Sequence, residues 1–380
     1  MIDLKDFIKR LENGESPESV RKDFMKKFDN VPAEKIVDAE QQLIDSGVSV
    51  NTAKKLCDVH SALFHDKDKK FTADFDFLDA GHPAQILHSE NLALGNFLDE
   101  LTESVTQNDA ETFTKKFPRL NAIYSHYGKK EMLFMPTLYN HGVTGPSQVM
   151  WAVDDDIKRA MRGLMKSVTI ENFDSLKEKI TALIQNIREM IFKEENIFIP
   201  LSLKFFTQDD WTAIYRDSAE IGYAFINDAP KWEIGEKSIN ESAREIKNSE
   251  DGNINFDTGE LTVAQLKGIL KLLPVDITFI DADDNVKFFV NEGGIFARPK
   301  LAIGNKIFNC HPPEVLPMIH KLLADFKAKK RDCMEIFRPI KGKPVGVTYR
   351  AVYDENGEYI GAVEFVQDFS AALKKFKTAP

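Results

Sequence analysis

Between residues 80 and 226 apolar side chains recur at intervals of three and four in long runs, and each run is interrupted by a group that can ionise. His82 lies one turn ahead of Ile86 on the stripe Ile86, Ala93, Phe97 and Leu101. Glu131, with His126 flanking it, interrupts the stripe Phe113, Phe117, Leu120, Tyr124, Tyr127, Phe134 and Leu138. Asp154 falls between Met150 and Ile157, and Glu194 between Ile191 and Phe198. Each helix thus directs one ionisable group inward. Such groups cannot be buried unpaired without a cost of several kcal/mol apiece, so they must bind a metal or one another. Imidazoles and carboxylates from facing helices are how bundle-core iron or manganese sites are built, which makes His82, His126, Glu131, Asp154 and Glu194 the candidate metal ligands. The competing arrangement has Lys130 forming buried ion pairs with Asp154 or Glu194, in a bundle that holds no metal.

A second constellation lies near the C-terminus, where Cys310 stands beside His311 and His320 follows. Thiolate and imidazole both serve as axial haem ligands, so Cys310 and His311 are the candidate cofactor-binding pair. The plainer reading has His311-Pro312-Pro313 starting a helix and Cys310 simply buried. Cys57 and His60, three apart on one helix face, could take a metal or act as a redox switch, although a full zinc site needs four ligands. His141, in the loop YNHGVTG, reads as a loop or capping histidine.

The elements that must position these groups fall into a multidomain chain. Residues 1–68 alternate amphipathic runs with Gly, Asn and Asp stops, an all-α N-terminal module. Residues 80–226 hold four long amphipathic runs with short joins, an α four-helix up-down bundle whose first helix starts at Pro83. Residues 227–258 are polar and acidic and read as a linker able to carry a partial helix. From residue 259 to 375 the period changes: ITFID, VKFFV, CMEIFRP, VGVTYRAVY and YIGAVEFVQ are strands and EVLPMIHKLLADFKAKK a helix, an α+β domain.

HPAQILHSENLAL, HYGKKEMLFMP, MWAVDDDIKR and REMIFKEENIFIP resemble the four helices of the hemerythrin-like (HHE) cation-binding domain. The shape that carries the likeness is an acidic residue five before a proline, Glu131 to Pro136 and Glu195 to Pro200. That resemblance implies histidine and glutamate ligands to two irons that bind oxygen or react with oxygen species. His82 matches the first-helix ligand and His126 the second-helix histidine. Lys130, however, stands where the family has glutamate, Met190 where it has histidine, and Asp154 replaces a histidine, while Glu194 remains. Either Glu131 or Glu195 is left to replace the missing ligand. LPVDITFIDADDNVKFFV and RAVYDENGEYIGAVEFVQDFS resemble a PAS domain, which implies sensing of a ligand, redox state or light, or dimerisation. IDLKDFIKRLENGESPESVRKDF and AEQQLIDSGVSVNTAKKLCDVHSALF resemble an uncharacterised domain that precedes the other two in bacterial proteins.

The 50 Lys and Arg against 60 Asp and Glu leave a net charge of -10, which repels polyphosphate and argues against general nucleic-acid binding. No apolar run is long enough to span a membrane, the N-terminus is unlike a secretory signal, and three scattered cysteines fit a reducing compartment, so a cytoplasmic protein is expected. There is no kinase glycine loop, phosphate-binding loop or DNA-reading helix, so any output passes through a protein partner. The leading expectation is a sensor in which a non-haem iron bundle of one or two ions responds to oxygen, nitric oxide, redox state or iron, with a PAS domain that relays the signal and can pair two chains. The alternatives are an enzyme of oxidative or nitrosative stress and a metal-free interaction scaffold.

Overall fold

The computed structural model describes residues 77–239, 252–256, 258–291 and 294–378, together with Phe7, Arg10, Glu15, Ser19, Val20 and Asp23. Apart from those six positions, the N-terminal helical module, with Cys57 and His60, lies outside the described residues. The chain divides into two compact units, residues 1–232 and 233–380.

In the first unit α1 (Pro83–Thr106) opens with proline at its first turn, where a missing N–H costs nothing, and His82 caps it by accepting from the Ala84 N–H. The second limb of the bundle is composite: α2 (Ala110–Lys116), a 3₁₀ stretch Phe117–Ala122, α3 (Ile123–Lys129), a π turn Lys130–Phe134 and α4 (Met135–Asn140). The third limb is α5 (Gly145–Ser167). The fourth repeats the device of the second, with α6 (Phe173–Lys193), a π turn Glu194–Phe198 and α7 (Ile199–Phe205). The capped helix α8 (Gln208–Ile221) closes the unit. Leu94, Leu98, Phe113, Leu133, Met161 and Ile187 are among the side chains that fill the core.

The two π turns explain the Glu-to-Pro spacing seen in the sequence. Pro136 and Pro200 have no N–H to return to the carbonyl four residues back, and their rings crowd that carbonyl. The ladder widens instead, with Met135 N–H donating to Lys130 O and Ile199 N–H to Glu194 O, five residues back. Lys129 with Lys130, and Lys193 with Glu194, are consecutive residues buried at the mouths of these turns.

The second unit begins with a helical stretch at residues 233–239, then the hairpin β1 (Asn253–Phe256) and β2 (Gly259–Thr262), and α9 (Val263–Leu272). An antiparallel five-stranded sheet follows from β3 (Asp276–Asp281), β4 (Val286–Val290), β5 (Cys333–Ile340), β6 (Lys343–Tyr353) and β7 (Tyr359–Asp368), in the order β4-β3-β7-β6-β5. Helix α10 (Leu316–Lys327) lays Ile319, Leu322, Leu323 and Phe326 on the face that carries Ile280 and Ala362. Gly361 pairs β7 with β3 where a side chain could not fit, since a Cβ would come 2.2 Å from the Ile280 carbonyl oxygen. α11 (Ser370–Thr378) ends the described chain.

Candidate functional site

Glu90 on α1, His126, Lys129 and Lys130 on the second limb, Asp154 on α5 and Glu194 on the fourth limb meet in the centre of the bundle, none more than 2% exposed. The His126 Nδ1 lies 2.8 Å from Glu90 Oε2 and its Nε2 2.9 Å from Glu194 Oε2. The Lys130 ammonium donates to Asp154 Oδ1 at 2.9 Å and to Glu194 Oε1, and sits 4.4 Å from the centre of the Tyr127 ring. Lys129 donates to Glu90 Oε1 and, at 2.7 Å, to the Gly222 carbonyl. The links form one unbroken chain across all four limbs: Asp154, Lys130, Glu194, His126, Glu90, Lys129.

The electrostatics follow from that geometry. Burial raises the Glu194 carboxyl, but Lys130 and His126 outweigh it and hold its pKa at about 2. Burial likewise opposes ionisation of Glu90, and His126 with Lys129 brings it below its usual range. Both carboxylates are therefore acceptors only, so both nitrogens of His126 must donate and the ring is an imidazolium. Burial works against that charge, yet Glu194 and Glu90 lift the His126 pKa to about 9. Lys130 is stabilised as ammonium by Asp154 and Glu194 against its desolvation, whereas for Lys129 desolvation wins over Glu90 and its pKa falls. Asp154 is pushed well above its usual value by burial, with Lys130 opposing and Glu131 and Glu194 adding to the shift. Its Oδ2 has no hydrogen-bond partner among the described residues, nor has the hydroxyl of Tyr127.

Of the candidate ligands, the structure brings together His126, Asp154 and Glu194. Glu131 instead pairs with Lys158 at 2.7 Å. His82 has Trp211 and Trp232 rings at 4.5 and 4.9 Å and caps α1 through Nδ1; burial lowers its pKa to about 4, so it is neutral. Glu195 turns to His88 Nδ1 at 2.7 Å and Asn91 Nδ2 at 2.7 Å. Sequence reasoning missed Glu90 and Lys129. Glu90 stood on the first-helix stripe, four after Ile86, and that spacing was a usable signal; Lys129 had none. His141, in its loop, bonds Asp210 at 2.8 Å.

An iron pair can be tested against these donors. An imidazolium has no lone pair to give, both oxygens of Glu194 and of Glu90 are taken by cations, and Lys130 places its ammonium between the carboxyl groups of Asp154 and Glu194. Among the described residues no group of three or more His, Cys, Asp or Glu is arranged to hold a metal ion. The residues as placed do not fit the metal pair.

The second unit holds a polar layer within its sheet. Thr278, Glu364 and Tyr349 stand side by side on β3, β7 and β6, on the same face as Ile280 and Ala362. Arg298 bridges them, donating to Thr278 Oγ1 at 2.8 Å, Asp276 Oδ2 at 3.2 Å and Glu364 Oε1 at 2.5 Å. The half-buried Cys310 has its thiol pushed up to about 12 by burial, which disfavours the thiolate a haem iron would bind. His311 Nδ1 donates to the Ile307 carbonyl at 2.9 Å, and His320 stacks on Phe308 at 3.9 Å between centroids.

A helical bundle with a closed ionic centre and an antiparallel sheet backed by a helix are two distinct modules, and the family comparisons match each of them. Residues 82–202 match the hemerythrin HHE cation binding domain, residues 266–370 a PAS domain, and residues 4–70 a family of unknown function, DUF438. The chain thus carries a DUF438 domain, a hemerythrin-like domain and a PAS domain in that order. It is similar to a C-terminal domain from Streptococcus mutans, 31% identical over 33% of this chain and 98% of that one, with a TM-score of 0.31. It is also similar to the PAS domain of a protein from Colwellia psychrerythraea, 16% identical over 29% of this chain and 98% of that one, with a TM-score of 0.24. No curated protein matches it. Among the described residues no helix is long and apolar enough to cross a membrane.

Proposed function

We propose that this chain is a regulatory protein whose PAS domain receives the signal, and whose hemerythrin-like bundle is a metal-independent module that hands the response to a protein partner. The carrying observation is the Lys130 ammonium held between Asp154 and Glu194, beside an imidazolium bridging Glu194 and Glu90. The bundle keeps the carboxylates of a cation-binding fold and supplies the cation from its own chain. The polar layer around Arg298 supports the PAS domain as the receiving part, because a buried guanidinium fork can exchange its partners for a ligand's acceptor groups.

The test is metal analysis of the full chain purified without oxygen, with an absorption spectrum before and after exposure to air. The expected result is iron far below one atom per chain and no near-ultraviolet oxo band. Stoichiometric iron with a band that responds to air would overturn the proposal and restore an iron sensor of oxygen or nitric oxide. A Soret band would assign a haem to the Cys310 and His311 region instead.

A further inference from the structure

The ion chain at the bundle centre does not end on a side chain. Glu90 Oε1, which pairs with Lys129, also accepts from the Ala224 N–H at 2.8 Å, and Lys129 donates to the Gly222 carbonyl. Both belong to the segment 222–232, by which the chain leaves α8 and reaches the end of the first unit. Gly222 turns the chain with φ +88° and Phe225 has φ +63°, so the segment is bent back rather than extended. Tyr223 has the Lys129 ammonium 5.0 Å from its ring centre, Ala224 is fully buried, and the Phe225 ring packs on Phe97 at 5.7 Å.

The far end of the segment is held from outside the cluster. The Trp232 ring, 2% exposed, meets His82 and Tyr215, and its backbone N–H donates to the Tyr215 hydroxyl at 3.2 Å. It crosses Gly81 so closely that a Cβ there would lie 2.2 Å from the Pro230 carbonyl oxygen. Between these two attachments a small cavity, lined by Gly81, Ile86, Leu87, Lys129, Phe134 and Tyr223 among others, lies under the segment. Near its start the segment is also tied down by two polar bonds to members of the ion chain.

We propose that residues 222–232 form a latch closed by the buried ion chain, so that a change of partners anywhere from Asp154 to Glu90 loosens the segment that leaves the bundle. The physical reason is that each member is shared. Glu90 divides its charge between Lys129, His126 and the Ala224 N–H; Glu194 divides its own between His126 and Lys130. Removing one cation lets the remaining groups rearrange toward the carboxylate left behind, and the Ala224 bond is the one that a backbone can give up to water. This deepens the reading of the same cluster given above, but the latch needs only the cluster's hydrogen bonds, and its test reads backbone protection rather than metal content, so each can fail alone.

The experiment is amide hydrogen exchange on the full chain, comparing the wild type with Lys130→Met, whose ammonium bonds Asp154 and Glu194 rather than the segment. The expected result is exchange in 222–232 at least about fivefold faster, the low end of coupling between linked sites. Coupling is reciprocal, so Gly81→Ala, which prises the segment off from outside, must loosen residues 123–134 as well. Should Lys130→Met fail to fold, Asp154→Asn replaces it. A folded variant whose 222–232 amides stay as protected as in the wild type overturns the latch, whatever its metal content.

Discussion

Replacing Lys130 with methionine keeps most of the side-chain volume and removes one buried positive charge. The consequence can be sized from the partners it leaves. Glu194 retains His126, but Asp154 loses its hydrogen bond from Lys130, and both carboxyls stay fully buried. Breaking a buried pair from one side costs about 3–5 kcal/mol because the partner is left uncompensated. At an m-value of about 2 kcal/mol per molar urea, that lowers the unfolding midpoint by about 2 M. The assay is clean because Trp151, Trp211 and Trp232, all three tryptophans of the chain, lie in the first unit, so their fluorescence follows the bundle and not the PAS domain. Lys130→Met with Asp154→Asn should recover about 1–3 kcal/mol of the loss, as expected for neighbours that interact directly. A single variant as stable as the wild type, or a double variant with strictly additive losses, would refute the argument that the ammonium replaces a bound cation.

Four further outcomes are expected. His126 titrates near 6.5 when unfolded and about 9 in the bundle, so its contribution, about 3 kcal/mol, is complete below pH 6.5 and lost as pH rises through 9; a urea midpoint for the first unit that stays flat from pH 6.5 to 9.5 would contradict it. Glu194 acts on the other side, its share being present above about pH 4.5 and lost as pH falls toward 2, which acid titration of tryptophan fluorescence would show. His82→Ala should cost about 1 kcal/mol for the lost helix cap, with some ring packing in addition, whereas His82→Asn keeps the cap; a larger effect on metal content than on stability would return His82 to the ligand set. The Cys310 thiol, held up to about 12, should alkylate at pH 8 far more slowly than a free small thiol, as peptide mass analysis would measure.

The four limbs and the sheet were legible because their apolar periods, near 3.6 and 2, are set by burial on one face. Asp154 and Glu194 lie inward as that argument expected, and a pairing of Lys130 with one or the other was among the arrangements it left open, whereas the structure has both. Glu131 does not join them, and the reason is local. The second limb is not uniformly α-helical: the 3₁₀ residues Phe117–Ala122 and the π turn Lys130–Phe134 interrupt it, so a regular 3.6 count does not place every residue around the limb. His126, expected at the edge of the stripe, arrives fully buried, and Glu131, largely buried itself, turns to Lys158 instead of the central cluster. His82 is buried as expected but apart from the cluster: at the residue before a helix its ring follows the cap, and it lodges between two tryptophans distant in sequence. The Arg298 layer had no periodic signal at all, since arginine comes from a loop and its partners from two strands.

Lysine and glutamate codons differ at a single base, and Lys130 sits at the mouth of a wide turn that a proline downstream enforces whatever residue occupies the position. Exchanging one for the other would leave the backbone where it is and turn a self-neutralised centre into one with four carboxyls around an imidazole. Such a descendant would have to recruit a divalent ion or hold on to protons to stay folded. The charge balance of the bundle centre therefore hangs on the identity of one residue.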